Sequence, residues 1–221
     1  MIKIVDAEAR SGKKELENLL KSRRGGSPDF ATLKQVLPIV EDVLRRGEPA
    51  LREYIERFDL EVPRARGSKR TISLKGEEGN RQILLDPRRE KSARIDPEFA
   101  GAFRVARRRI EAYHRKQLLC VSQGFSFKDS LGVSFAERPV PFDSVGVYVP
   151  GGRAFYPSSL LMGVVPARIA GVRRIVVATP RGAWAGSPEL RWAAAELGVD
   201  EVLLAGGAHG IAGLVSVSGV A

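Results

Sequence analysis

The carboxyl-terminal part of the chain alternates short apolar runs with turns that contain glycine. Valines at every second position predict a strand over 144–149, and a nearly continuous apolar run predicts a second strand over 174–179. Between them Ser158 can cap a helix whose apolar residues recur at helical spacing: Leu160, Leu161, Val164, Val165 and Ile169. A continuous apolar strand is typical of a parallel sheet covered on both faces, so this stretch predicts one βαβ unit.

A second unit of the same kind follows directly. Ser187 or Pro188 can open a helix, the apolar run at 201–205 predicts a third strand, and Gly206-Gly207 leads into another helix. Three parallel strands joined in this way are half of a doubly wound, Rossmann-like sheet. Such sheets bind ligands beyond the carboxyl ends of their strands, which places the expected site in the loops at 150–157, 180–187 and 206–209.

The first 140 residues have a different pattern and predict a helical and α+β region. Apolar spacing indicates a long helix after Asp29, a second helix over 48–58 and a third opened by Asp96. Alternating residues around a turn at 129–132 predict a β-hairpin that leads into the parallel sheet. We therefore predict two domains, 1–140 and 141–221, the second an incomplete nucleotide-binding half-domain.

The segment from 61 to 95 has weaker periodicity and is rich in Pro, Gly, Arg and Lys. We interpret it as an exposed connection with one or two short strands, at Thr71–Leu74 and Gln82–Leu85.

Composition narrows the class of protein. The chain has 221 residues, of which 43% are hydrophobic, enough to bury a sizeable core. No apolar stretch is long enough to cross a membrane, and the amino terminus lacks the apolar region of a signal peptide. The single Cys120 cannot form an intramolecular disulfide, so we expect a reducing, cytoplasmic setting.

Charge is concentrated in the first half of the chain. The whole sequence has a formal net charge of +10, and nearly all the excess lies before residue 121. Clusters such as Arg107-Arg108-Arg109 could contact phosphates, which keeps nucleic-acid binding as an alternative. Acidic residues alternate with these arginines and no nucleic-acid module is evident, so the pattern favours a solvated basic surface.

Few residues of the sequence are arranged as catalytic groups or metal ligands. The two histidines, His114 and His209, and the single cysteine do not form a metal-ligand spacing, and no serine stands in a nucleophile elbow. We therefore predict neither a catalytic residue nor a metal ligand within this chain. Tyr148, at the end of the first parallel strand, and Gly151 and Gly152 after it stand where a ligand could approach the backbone.

Three phrases of the sequence resemble the histidinol dehydrogenase family. They are VGVYVPGGRAFYPSSLLMGVVPARIAGV, GVDEV and GGAHGIAGL, and the likeness extends upstream over most of the chain, least at 60–95. The resemblance implies that Tyr148 and the residue at the position of His209 contact NAD. Because Pro150, Gly151 and Gly152 share their place at the carboxyl end of a parallel strand, we predict that all five residues bind the dinucleotide. Family members usually have glutamine where this chain has His209.

The same resemblance implies an activity. The family oxidises L-histidinol to L-histidine through an aldehyde, uses NAD with zinc holding the substrate, and forms homodimers. Its catalytic glutamate and histidine and its zinc ligands lie downstream of the GGAQAIAAL-type phrase. The chain therefore resembles the amino-terminal portion of such an enzyme, and we expect it to be truncated and inactive alone.

Three alternatives stay open at this point. A sister dehydrogenase of the same fold could act on another small alcohol, because substrate selection rests largely on residues beyond this chain. A non-catalytic remnant could keep a nucleotide pocket without any chemistry. Nucleic-acid binding through the basic half is the third alternative, and it predicts a steep loss of affinity with salt.

Overall fold

A computed structural model describes residues 13–14, 30–59, 61–63, 69–71, 83–89, 95–151 and 156–220; at 61–63, 69–71 and 89 only the backbone is described. The chain divides into two compact units, 1–38 and 39–221. The predicted domain boundary at residue 140 remains a prediction. Everything that positions the candidate site lies in the second unit.

Four strands form the central sheet of the second unit. Strand β6 (Ser144–Tyr148) pairs in parallel with β7 (Arg174–Ala178), which pairs in parallel with β8 (Glu201–Leu203). A short strand, β3 (Leu84–Leu85), closes the other side of β8 in the antiparallel direction. The predicted parallel half-sheet is confirmed, and it gains an antiparallel edge strand.

Two further strand pairs lie outside the sheet. Strand β1 (Glu61–Pro63) pairs with β2 (Lys69–Thr71), and β4 (Phe125–Lys128) pairs with β5 (Ser134–Glu137). The second pair is the predicted hairpin. Asp129 closes its turn by accepting hydrogen bonds from the Leu131 and Val133 amides at 2.9 Å.

Helices follow the strands in the expected order. The helices before the parallel strands are α1 (Phe30–Arg46), α2 (Glu48–Phe58) and α3 (Pro97–Val121). Those between and after them are α4 (Pro157–Ala170), α5 (Arg181–Gly186), α6 (Pro188–Glu196) and α7 (Gly207–Ser216). A 3₁₀ turn at Pro87–Arg89 follows β3.

Capping residues explain where several helices begin. The Asp96 side chain accepts from the Glu98 amide at 2.9 Å and Ser187 accepts from the Leu190 amide at 3.1 Å, as predicted. Ser158 is not a cap: α4 already begins at Pro157 after Tyr156, and no side chain caps it. Proline suits the first helical position because its fixed φ is helical and its missing N–H would have no partner there.

The strand predicted at 82–85 is present as β3, but it does not lie in an exposed connection, because Ile83 is buried and β3 pairs with the central sheet. An apolar run that can close a sheet edge is better placed there than in solvent. Of the strand predicted at 71–74 only residue 71 is described, as the last residue of β2, and residues 72–74 lie outside the described part of the chain. The predicted loop at 180–187 is mostly the helix α5.

Apolar side chains are buried on both faces of the sheet. Alternate residues of β7 point in opposite directions, so Ile175 and Val177 join one cluster while Val176 and Ala178 join the other. The first cluster is covered by α3, α4 and α6, and the second by α2, α7 and the end of α1. Helices on both faces are the layers of a doubly wound fold.

Within the part of the chain that the structure describes, no helix combines the length and the apolar character that crossing a membrane requires.

Candidate functional site

Loops at the carboxyl ends of the parallel strands meet around Pro180. A Cβ added to Gly151 would lie 2.7 Å from Pro180 Cγ, and one added to Gly206 would lie 2.6 Å from the same atom. Both separations are too short for a side chain, so glycine is required for these loops to pack against the proline. The loops named from the sequence are therefore brought together, and their glycines are explained by this packing as well as by access for a ligand.

The amino terminus of α7 already holds two acceptors from the protein itself. The Gly206 amide donates to Asp59 Oδ2 at 2.7 Å, and the Gly207 amide donates to the Tyr148 hydroxyl at 3.0 Å. Free amides at a helix start attract anions. Here a buried carboxylate occupies that position, so α7 does not offer Gly206 and Gly207 as an open phosphate cradle.

Asp59 follows the last residue of α2 and contacts Gly206 and His209, which lie 147 and 150 positions further along the chain. Its carboxylate is buried beside the imidazole of His209, with Nε2 of His209 3.2 Å from Oδ2. Sequence reasoning missed this residue. Its only local signal was its place at the end of a predicted helix, and periodicity does not report contacts over such a distance.

His209 lies in the first turn of α7 and is only 3% exposed. The rings of Tyr54 and Phe58 lie beside the imidazole, with centroids 6.3 and 5.8 Å away. Aromatic rings on α2 and the carboxylate of Asp59 thus fix one edge of the imidazole.

The Nδ1 and Cε1 atoms of the imidazole lie near Gly207. Gly207 is exposed and has a φ of 53°, and a Cβ built on it would lie 3.5 Å from His209 Nδ1 and Cε1. That distance is ordinary van der Waals contact. A ligand atom resting on Gly207 would therefore meet the Nδ1 edge of His209, with the Tyr148 hydroxyl hydrogen-bonded to the same glycine.

Two polar groups follow the end of β7. Thr179 is fully buried, and among the described residues its Oγ1 has no hydrogen-bond partner. Arg181 is also buried; this burial lowers the pKa of its guanidinium, and the charge of Arg52 lowers it further, whereas Asp59 acts in the opposite direction. A buried hydroxyl without a partner is a group that a ligand or a water molecule would satisfy.

The residues predicted to bind NAD therefore fall into two sets. Tyr148, Pro150 and Gly151 lie at the carboxyl edge of the sheet, and His209 lies beneath Gly207. Gly152 is outside the described residues. Contact between these residues and a dinucleotide remains a prediction.

Zinc does not fit the described residues. No group of three His, Cys, Asp or Glu side chains in the described ranges comes close enough to hold a metal ion. His114 lies on α3 with Nδ1 2.8 Å from Gln117 Oε1.

The family model for histidinol dehydrogenase matches residues 22–216 of the chain. The chain belongs to the histidinol dehydrogenase family. This match covers the parallel sheet, the hairpin and the helices before it, so the family resemblance in the sequence is confirmed over most of the chain.

Curated members of the family give the extent of the likeness. The chain is 36% identical over 211 residues to "Histidinol dehydrogenase" of Rhizobium meliloti and 36% identical over 200 residues to that of Listeria monocytogenes. These matches cover 92% and 90% of the chain but only 43% of each relative. The chain thus spans less than half the length of these relatives, in keeping with an amino-terminal portion.

A solved structure shares the fold. The crystal structure of histidinol dehydrogenase from Elizabethkingia anophelis superposes with a TM-score of 0.63 at 24% identity. The superposition covers 84% of this chain and 39% of that one.

Proposed function

We propose that this chain supplies the dinucleotide-binding part of an NAD-dependent histidinol dehydrogenase, which oxidises L-histidinol to L-histidine through an aldehyde. The observation that supports this most directly is the meeting of Tyr148, Gly151 and Gly207 at the carboxyl edge of a parallel sheet in a member of this family. Ligands of doubly wound sheets bind at that edge.

The Tyr148 hydroxyl is suited to hold a polar group of the dinucleotide. It accepts a hydrogen bond from the Gly207 amide, which leaves its own hydrogen available to donate to a ligand. The Pro150-Gly151 backbone lies next to it in the sequence and is half-buried, with Gly151 packed against Pro180. NAD would supply the hydride acceptor, whereas the residues of this chain would bind and orient it.

Phosphates of the dinucleotide are expected to avoid the start of α7. The Asp59 carboxylate occupies the Gly206 amide and would repel a second anion at that place. We therefore expect the pyrophosphate to bind along the loop that begins at Pro150, with His209 and Tyr148 holding an uncharged part of the ligand.

We infer that substrate oxidation needs residues beyond those that the structure describes in this chain. Hydride transfer from an alcohol requires a base near the hydroxyl and a group that polarises its oxygen. We propose that both, with the zinc ligands, come from a carboxyl-terminal half like that of the relatives, and that the complete enzyme is a cytoplasmic homodimer. The predicted zinc requirement belongs to that half.

The first test asks whether the chain turns over substrate alone. We expect no NADH formation from L-histidinol by the folded 221-residue chain with NAD and zinc, because a general base alone typically contributes about 10²–10⁴-fold. The assay follows NADH absorbance before and after the carboxyl-terminal half of a relative is added in trans. Turnover by the chain alone, abolished by a point change within it, would contradict the proposal.

The second test asks where NAD binds. We expect NAD to shift the amide resonances of Val149 and Gly151, on either side of Pro150. We expect a Tyr148→Ala, His209→Ala double variant to bind at least about tenfold more weakly, as two lost hydrogen bonds imply. The matched control is Tyr113→Ala, His114→Ala, which removes the same side chains from the surface of α3. Equal NAD affinity in the two double variants would refute the site.

A further inference from the structure

The hydrogen bonds that Asp59 accepts indicate which ring nitrogen of His209 carries a hydrogen. Oδ2 of Asp59 accepts from the Gly206 amide at 2.7 Å and also lies 3.2 Å from His209 Nε2. A carboxylate only accepts hydrogen bonds, so Nε2 has to carry the hydrogen that this contact uses. In a neutral imidazole the other nitrogen, Nδ1, then has no hydrogen and presents a lone pair.

Nδ1 of the buried imidazole lies near a residue that is exposed to solvent. Nδ1 lies 3.5 Å from the position a Cβ would take on the exposed Gly207. The Tyr148 hydroxyl, held by the Gly207 amide, has a hydrogen to donate at the same glycine. One acceptor and one donor thus border the surface of a single residue that has no side chain.

We propose that Asp59 is a positioning residue that fixes the His209 tautomer, so that His209 Nδ1 and the Tyr148 hydroxyl together recognise a ligand edge with an N–H donor beside an acceptor. This inference rests on the proposed function, since it names the part of the dinucleotide that binds there. Such an edge exists twice in NAD, in the nicotinamide carboxamide and in the amino-pyrimidine edge of adenine.

Burial of the His209–Asp59 pair holds the imidazole in one orientation. The side chains of His209 and Asp59 are both nearly inaccessible to solvent, and the rings of Tyr54 and Phe58 flank the imidazole. Rotation of the imidazole would separate Nε2 from the carboxylate and leave a buried acceptor with one partner fewer, which is costly. A glutamine at this position would offer a donor and an acceptor on one freely turning amide, whereas His209 offers only the acceptor.

The first experiment measures the tautomer without any ligand. In the full chain labelled with ¹⁵N at histidine, we expect the Nδ1 resonance of His209 in the unprotonated range and Nε2 in the protonated range. Asp59→Asn keeps an oxygen acceptor and should retain this pattern, whereas Asp59→Ala should shift both resonances towards an exchanging average. Glu56→Gln, an exposed carboxyl on the same helix, is the control.

Asp59→Ala removes an acceptor at the start of α7 and could unfold the chain. The unaltered chain keeps the proposal falsifiable in that case, because its own spectrum reports the tautomer. A protonated Nδ1 in the unaltered chain at neutral pH would overturn the inference, whatever the variants do.

The second experiment uses two matched pairs of NAD fragments. Nicotinamide mononucleotide is compared with nicotinic acid mononucleotide, and AMP with purine riboside 5′-monophosphate, which lacks the amino group. Binding is followed by the shifts of the Gly207 amide and the His209 ring. We expect one pair to lose roughly threefold to tenfold in affinity when its N–H donor is removed, which identifies the half of NAD that binds here.

The two experiments distinguish a wrong recognition edge from a chain that does not bind NAD. If NAD shifts the Pro150–Gly151 loop but both fragment pairs bind equally, the recognition edge is wrong and NAD binding stands. If NAD shifts no resonance, the proposed function fails, and the histidine spectrum still decides the tautomer.

Discussion

The parallel sheet and the hairpin β4–β5 both pair as the sequence predicts, yet they lie in opposite environments. Strand β7 is a nearly continuous apolar run, whereas the strands of the hairpin alternate apolar and polar residues. In the sheet Val176 and Val177 are fully buried, whereas in the hairpin Phe127 and Phe135 are 54% and 45% exposed. The continuous run thus predicts cover on both faces, whereas alternation predicts the pairing of the hairpin but not what covers its apolar side chains.

Burial of the apolar side chains of a strand depends on the helices that pack against it. Helices lie on both faces of the sheet, and each residue of β7 packs into one of two apolar clusters. The hairpin stacks its own rings, with Phe127 and Phe135 centroids 5.1 Å apart, and every residue of its two strands is exposed. An isolated two-stranded hairpin is marginal in water, so the stability of the chain has to come from the sheet.

We expect the largest difference in stability between the sheet and the hairpin when one leucine in each is truncated to alanine. Leu203→Ala, in the fully buried β8, is expected to lower the free energy of unfolding by about 2–5 kcal/mol. Leu131→Ala, in the exposed hairpin turn, should change it by less than about 0.5 kcal/mol. Urea unfolding measures both, and equal losses would show that the hairpin contributes to the same core.

Replacing a glycine with alanine should show where the packing leaves no room for a methyl group. A Cβ on Gly210 would lie 2.4 Å from the backbone oxygen of Ala205, so Gly210→Ala should cost about 1–3 kcal/mol. The same change at Gly101, in α3, meets no atom within 4 Å and should stabilise by about 0.5–1 kcal/mol. Thermal unfolding gives both signs, and a stabilising Gly210→Ala would contradict the packing of α7 against β8.

Polar substitutions in the hairpin should have the smallest effect on stability and a visible effect on association. Phe127→Ser with Phe135→Ser removes exposed apolar surface, so binding of an apolar dye and sedimenting aggregates should both fall. The free energy of unfolding of the sheet should change by less than about 0.5 kcal/mol. Ser126→Ala, on the same strand, is the control, and a large loss of stability in the double variant would place the hairpin within the cooperative core.

Local signals predicted most of the fold, because they act over a few residues. The strands at 144–149 and 174–179, the Asp96 and Ser187 caps and the hairpin turn all follow from patterns within one element. The Ser158 cap was wrong because Pro157 starts the helix one residue earlier.

Long-range contacts limited the prediction of the site. Tyr148 and the glycine loops could be named because they end strands, and the end of a parallel strand is itself a positional rule. Asp59 could not, because its partners Gly206 and His209 are far away in sequence and no local pattern links a helix end to a later loop. A strand at 82–85 was predicted, but its pairing with β8 was not, because that partner is equally far away in the sequence.

That pairing also sets an order of events in folding. The three parallel strands are neighbours along the chain, whereas Leu84 must find Leu203 across more than a hundred intervening residues. Closing so long a loop costs chain entropy before any pairing is gained. During synthesis β3 leaves the ribosome long before β8 exists, so its apolar residues wait unpaired until the last parallel strand has been made.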